Sequence, residues 1–179
     1  MNRAFRRLVI LLALLMAFGL AVLQSASPPG IKLPSQPPLL GAVEHILIEK
    51  SKRQMSMIRA GKVIKTYQIA LGSSPVGDKT RQGDGRTPEG TFKIDRKNAG
   101  SKFHLSLGLN YPLAEDRAAA KKAGYSAGGD IMIHGQPNAL PDATVLKQDW
   151  TAGCIAVSNA EIREIFAAVS IGTVVEIRP

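Results

Sequence analysis

The spacing of apolar and polar residues changes several times along this chain, and each change marks an element. Leu8 to Leu23 is an unbroken apolar run. Pro28, Pro29, Pro34, Pro37 and Pro38 then interrupt the stretch from Ser27 to Leu40, which reads as an extended, semi-rigid linker. From Ala42 the period falls to two. Ala42 to Glu49, Gln54 to Arg59 and Lys62 to Leu71 are predicted as three strands of a meander, separated by the polar turn Lys50-Ser51-Lys52-Arg53 and the tight turn Ala60-Gly61. A long loop rich in Gly, Ser and Asp follows, Gly72 to Gly85, and then a turn at Thr87-Pro88-Glu89-Gly90 and a strand from Thr91 to Asp95. Lys102 to Leu109 alternates, with Phe103, Leu105, Leu107 and Leu109 on one face and Lys102, His104 and Ser106 on the other. Ile131, Met132 and Ile133 in a row predict a buried strand over Asp130 to His134, and Gly172 to Arg178 a final one.

Two helices stand out against these strands. Leu113 to Ala123 is predicted helical and stopped by Gly124 in a left-handed cap. The second opens on Ser158, with Glu161 three residues on to complete a capping box. Ile162, Ile165, Phe166 and Val169 fall at helical spacing as its buried stripe. The expected class is therefore mainly β with two or three short helices. Its domains are a leader (1–26), the linker (27–41) and a folded domain (42–179).

The N-terminal run changes the picture of where the protein works. Arg3, Arg6 and Arg7 precede it and small and polar residues follow it, which is the layout of a secretory signal. The run is shorter than the roughly 20 residues a spanning helix needs, so the segment reads as a cleaved signal or a retained anchor. In both cases the domain is exported to the periplasm or cell envelope, and membrane contact is through this segment alone. The only cysteine is Cys154, so no lipid-bearing cysteine follows the run and no internal disulfide forms. The formal charge of +9 suits attraction to an anionic envelope surface as well as plain solubility. Nucleic acid is an unsuitable partner for an exported chain with 5% aromatic residues, too few for a stacking platform.

A lone cysteine in an oxidising compartment is a liability unless it is buried or used. Cys154 lies in Asp149-Trp150-Thr151-Ala152-Gly153-Cys154-Ile155-Ala156-Val157, a turn of small residues just ahead of the capped helix. The segment Ile131-Met132-Ile133-His134-Gly135 delivers a histidine at the end of a buried strand. Cysteine catalysis needs a base to take the thiol proton and donors for the oxyanion. His134 is the candidate base, its ring oriented by the carbonyl of Gly135, and a thiolate–imidazolium pair is the expected resting form. The N–H groups of Gly153 and Cys154 are the expected oxyanion donors, with Thr151 bracing the turn. Tyr111, His104 and Trp150 are candidate substrate contacts, with core or surface packing as their plain alternative. A zinc site from His104, His134 and Cys154 is the competing use of the same residues.

These segments resemble the signature of the L,D-transpeptidase (YkuD) family. His134-Gly135 and Thr151-x-Gly153-Cys154-Ile155 match its pattern at the family's separation, and Thr87-Pro88-Glu89-Gly90-Thr91-Phe92 is similar to its turn and strand. Asn110-Tyr111-Pro112 and Asp116-Arg117, leading to the histidine strand, resemble the YafK-like branch. The resemblance implies a YkuD-type β-sandwich over 42–179 that requires no cofactor and no metal. It also implies cysteine acyl transfer on peptidoglycan stem peptides: release of the terminal D-Ala of a tetrapeptide, a thioester, then attack by an amine. Within the family, water as acceptor gives a carboxypeptidase, or an amidase acting on a wall-attached protein. A wall-binding module without catalysis is the non-enzymatic alternative. Ala152 and Ala156 stand where many members have His and Arg, which removes a second imidazole and a candidate binder of substrate carboxylate.

Overall fold

The computed structural model describes residues 37–179, so the expected leader and most of the linker lie outside the described residues. The strands are β1 (His45–Glu49), β2 (Gln54–Arg59), β3 (Lys62–Gln68), β4 (Gly90–Ser101), β5 (His104–Leu109), β6 (Met132–His134), β7 (Ile155–Ala156) and β8 (Val174–Arg178). The helices are α1 (Ala114–Lys122) and α2 (Asn159–Ala168). The strands join in the order β3-β2-β1-β8-β4-β5-β6-β7. β1–β8 and β6–β7 are parallel, and the remaining pairs are antiparallel.

One strand serves both halves of this sheet. Gly90 to Lys93 of β4 pair with β8, whereas Ile94 to Ser101 pair with β5, with register shifts after Ile94 and after Asn98. Irregularities of this kind sharpen twist and let a sheet fold over on itself. The two outer ends then meet. Beyond β3, Ala70 exchanges hydrogen bonds with Ala156 (2.9 and 2.8 Å), and the Thr151 N–H donates to the Leu71 carbonyl (3.1 Å). The result is a sandwich closed around one core that includes Ile46, Met55, Phe92, Leu107, Ile133 and Ile155, each fully buried. Burying a side chain of this size contributes roughly 1.5–3 kcal/mol. The mainly β class and the two helices agree with the sequence.

Several boundaries moved for physical reasons. β4 runs on to Ser101, well past the expected Asp95, as an exposed ribbon whose stability comes from pairing with β5 rather than from apolar alternation. The polar face of β5 is not solvent-facing: α2 packs across this strand, and Ser106 is 1% exposed. α2 itself follows the sequence closely. Ser158 Oγ accepts the Glu161 N–H (3.2 Å), Glu161 returns a bond to the Ser158 N–H (2.8 Å), and Ile162 and Ile165 are fully buried. Glu164 pins the helix to β3 by accepting from Lys65 Nζ (2.6 Å) and the Tyr67 hydroxyl (3.0 Å). In α1 the Asp116 carboxylate accepts the Leu113 N–H (2.7 Å), and Gly124 takes φ +78° just past the end, as expected. Among the described residues no helix is long and apolar enough to cross a membrane.

Candidate active site

β6 and β7 run side by side with Ile133 opposite Ile155 and His134 opposite Ala156. Side chains alternate along a strand, so Ile133 and Ile155 enter the core together. His134 and Ala156 take the other face, and alternation puts Cys154, just ahead of β7, on that face as well. Cysteine and histidine therefore share one face of two adjacent strands.

The imidazole sits in a box. His134 is 3% exposed, with the Phe103 ring tilted over it at 4.6 Å between centroids and the Trp150 ring edge-on at 5.7 Å. Nδ1 lies 2.7 Å from the Gly135 carbonyl oxygen. A carbonyl only accepts, so Nδ1 carries the proton and Nε2 keeps its lone pair. Ser106 is the cross-strand partner of His134, and its buried hydroxyl has no hydrogen-bond partner among the described residues; the same holds for Trp150 Nε1. Gly135 has no room for a side chain, since a Cβ there would fall 2.6 Å from Asn159 Oδ1.

Cys154 Sγ–H donates to the Asp130 carbonyl at 3.3 Å. Burial pushes the thiol pKa up, against a hydrogen bond from the Met132 backbone that lowers it. Burial also lowers the His134 pKa, opposed by the bond to Gly135. Both shifts run toward a neutral thiol and a neutral imidazole. Desolvation penalises both charges, at a buried His134 and a half-buried Cys154.

The turn is braced by Thr151. Its Oγ1 donates to the Cys154 carbonyl (2.8 Å) and accepts the Gly153 N–H (3.1 Å). Its backbone bonds Leu71 and Ser73, and the adjacent Asp149 carboxylate accepts from Arg53 and from the Leu71 N–H. Gly153 has φ +138°, and a Cβ there would fall 2.6 Å from the Arg86 carbonyl oxygen, so the turn requires glycine. The Gly153 N–H, one of the two expected oxyanion donors, points to Thr151 Oγ1 in this structure.

Of the candidate substrate contacts, only Trp150 reaches the imidazole. Tyr111 belongs to the core: it is 5% exposed, its ring packs edge-on against Phe92, and its hydroxyl donates to Ala127 O (3.1 Å). His104 lies beside the Arg163–Asp142 pair on the α2 side, its Nε2 3.0 Å from Arg163 Nη1. It does not join His134 and Cys154, and among the described residues no cluster of His, Cys, Asp or Glu is built to hold a metal ion. Sequence reasoning missed the roles of Phe103, Ser106, the Asp130 carbonyl and the Arg86 carbonyl. Phe103 alone had a signal, as an apolar residue at the mouth of an alternating strand. Ala156 is buried in the wall of a cavity of about 580 Å³ that Glu161 and Gln136 also line.

Fold and site together define a mainly β domain that presents one cysteine and one histidine from neighbouring strand ends. The chain belongs to the YkuD family: the family's L,D-transpeptidase catalytic domain matches residues 43–177. YafK of Escherichia coli K12, to which an L,D-transpeptidase role is ascribed, is 27% identical over 175 residues, 92% of this chain and 64% of YafK. The helical cell shape determining protein Pgp2 from Campylobacter jejuni superposes with a TM-score of 0.57 at 26% identity, over 80% of this chain and 51% of that one. An L,D-transpeptidase from Xylanimonas cellulosilytica shares the fold at 16% identity, with a TM-score of 0.51 over 79% of this chain and 63% of that one. The chain thus spans under two thirds of YafK and about half of Pgp2.

Proposed function

We propose that this chain is an exported peptidoglycan L,D-transpeptidase that works by cysteine acyl transfer, with Cys154 as nucleophile and His134 as general base. The observation that supports it most is the fixed tautomer of His134. The bond to Gly135 leaves Nε2 as an acceptor on the face that carries Cys154. The neutral resting pair suits a base that takes the thiol proton during attack rather than before it.

The sulfur attacks the carbonyl carbon between the third residue of a tetrapeptide stem and its terminal D-Ala, and the thiol proton passes to Nε2. The C–N bond breaks, Nε2–H protonates the leaving amine, and a thioester remains on Cys154. An amine of a second stem then attacks the thioester and gives its proton to Nε2. The C–S bond breaks, and the sulfur takes the proton back as thiol. With the Gly153 N–H committed to Thr151, the donor this turn offers the oxyanion is the N–H of Cys154. The N-terminal segment carries the domain out of the cytoplasm as signal or anchor.

Incubation of the purified chain with disaccharide-tetrapeptide, with products read by mass spectrometry, tests this. Release of D-Ala with formation of a dimer joined between third residues is expected. Release of D-Ala with tripeptide as the only product assigns water as acceptor and contradicts transfer. No product contradicts the enzyme reading altogether.

A further inference from the structure

Many family members carry an arginine where this chain has Ala156, yet the stem peptide bears carboxylates near the scissile bond. Two other arginines stand on the loop whose backbone packs against the nucleophile turn. The backbone carbonyl of Arg86 lies against Gly153, one residue from Cys154. Arg86 and Arg81, with Ser74, Thr80, Asp84 and Tyr125, line an open polar cavity of about 410 Å³. The chain that supplies Tyr125 to this lining continues to a backbone contact of the thiol. The Gln82 N–H donates to the Ser126 carbonyl (2.7 Å), and the segment from Tyr125 runs on to Asp130, whose carbonyl accepts from Cys154 Sγ.

The charge balance of this cleft is set by how its acid is used. Asp84 Oδ1 accepts from Lys79 Nζ (2.7 Å) and from the Arg86 N–H (3.0 Å). Its Oδ2 accepts from the N–H groups of Thr80 (2.9 Å) and Arg81 (3.1 Å). A carboxylate has about four acceptor sites, so none is left for a guanidinium. The Lys79–Asp84 side chains are 3% and 8% exposed, and this buried pair fixes the backbone from which both arginines project. Among the described residues neither arginine forms an ion pair. Arg86 Nη1 donates to the Asp78 backbone carbonyl (3.2 Å), and the Arg81 guanidinium lies over the Tyr125 ring at 5.2 Å. Two unpaired planar forks on a braced loop, with hydroxyl groups beside them, have the chemistry of a carboxylate receptor.

We propose that the Arg81–Arg86 cleft is a carboxylate-binding subsite that holds the free diaminopimelate or D-glutamate carboxylate of a stem peptide seated on Cys154. It rests on the reading that the chain acts on stem peptides, and it moves the charge recognition absent at Ala156 to the loop packed against the turn.

Binding to the Cys154→Ala chain, measured by calorimetry, tests the subsite without requiring turnover. The probes are disaccharide-tetrapeptide and two analogues, one amidated on the diaminopimelate carboxylate and one on the D-glutamate α-carboxylate. One analogue is expected to bind about tenfold more weakly than the parent, which identifies the carboxylate that is read. Adding Arg86→Gln or, separately, Arg81→Gln should weaken the parent peptide toward that analogue's affinity and leave the analogue itself unchanged. Arg81→Gln alters only an exposed side chain, so a folding defect in one variant does not decide the matter. Equal binding of all three probes, no effect of either substitution, or no binding at millimolar peptide overturns the subsite. Arginine-dependent binding without turnover by the chain retaining Cys154 supports the subsite and contradicts the transfer reading. Turnover with arginine-independent binding does the reverse.

Discussion

His134 Nδ1–H donates a hydrogen bond to the carbonyl oxygen of Gly135, the next residue in the chain, at 2.7 Å. An orienting group supplied by the adjacent peptide is fixed by local backbone geometry and costs no separate side chain. It also sets which nitrogen faces the thiol.

Burial holds the His134 pKa below its ordinary value. The unfolded chain takes a proton near pH 6.5 while the folded chain does not. The linkage sign follows: stability is intact above about pH 6.5, falls as pH drops below it, and levels off once pH passes below the folded pKa. Urea midpoints between pH 7.5 and 5.0 should show this decline in the wild type and a smaller one in His134→Gln. An NMR titration placing His134 at or above 6.5 contradicts the burial argument.

The thiol shift predicts slow alkylation at neutral pH. The iodoacetamide rate at Cys154 should rise with an inflection above the ordinary thiol range of about 8.5, because burial raises this pKa. The inflection should move little in His134→Ala, since the resting sulfur donates to Asp130. A plateau reached below pH 7 indicates a preformed thiolate and contradicts the neutral pair.

Thr151→Val keeps the shape of the side chain and removes its oxygen. The Gly153 N–H and the Cys154 carbonyl each lose a partner in a buried turn. A loss of about 1–3 kcal/mol in unfolding free energy is expected, with Thr151→Ser close to wild type. Equal stability of Val and wild type would remove Thr151 as the brace of the turn.

Ser158→Ala tests the capping box at a distance from the chemistry. About 0.5–2 kcal/mol of stability should be lost, with the Cys154 alkylation rate unchanged. A change in that rate shows that the start of α2 also positions the turn.

How far the sequence carried the fold depended on whether a contact was local. The capping box at Ser158, the turn at Ala60-Gly61 and the cap at Gly124 were legible because each is written within a few residues. The polar length of β4 was not, since its pairing with β5 leaves no apolar rhythm. Tyr111 and His104 each kept two readings open, because residue type alone does not say which of two environments a chain delivers it to. Here Tyr111 goes to the core and His104 to Arg163. Cys154, His134 and Gly135 were picked out by motif spacing, and their neighbours Phe103, Ser106 and Asp130 come from other strands and loops. Arg81 and Arg86 fell within or beside a stretch read only as a polar loop. The meaning of that loop lies in Asp84 being spent on its backbone, which no periodicity reveals.

The most direct test of cysteine acyl transfer is the intact mass of the protein after brief mixing with disaccharide-tetrapeptide. The account predicts an added mass equal to the donor minus D-Ala, mapped to Cys154, in the wild type. Cys154→Ser should show no such adduct and a turnover at least about a thousandfold lower. An unmodified wild-type protein that still releases D-Ala, or a Ser variant that retains the activity, would contradict it.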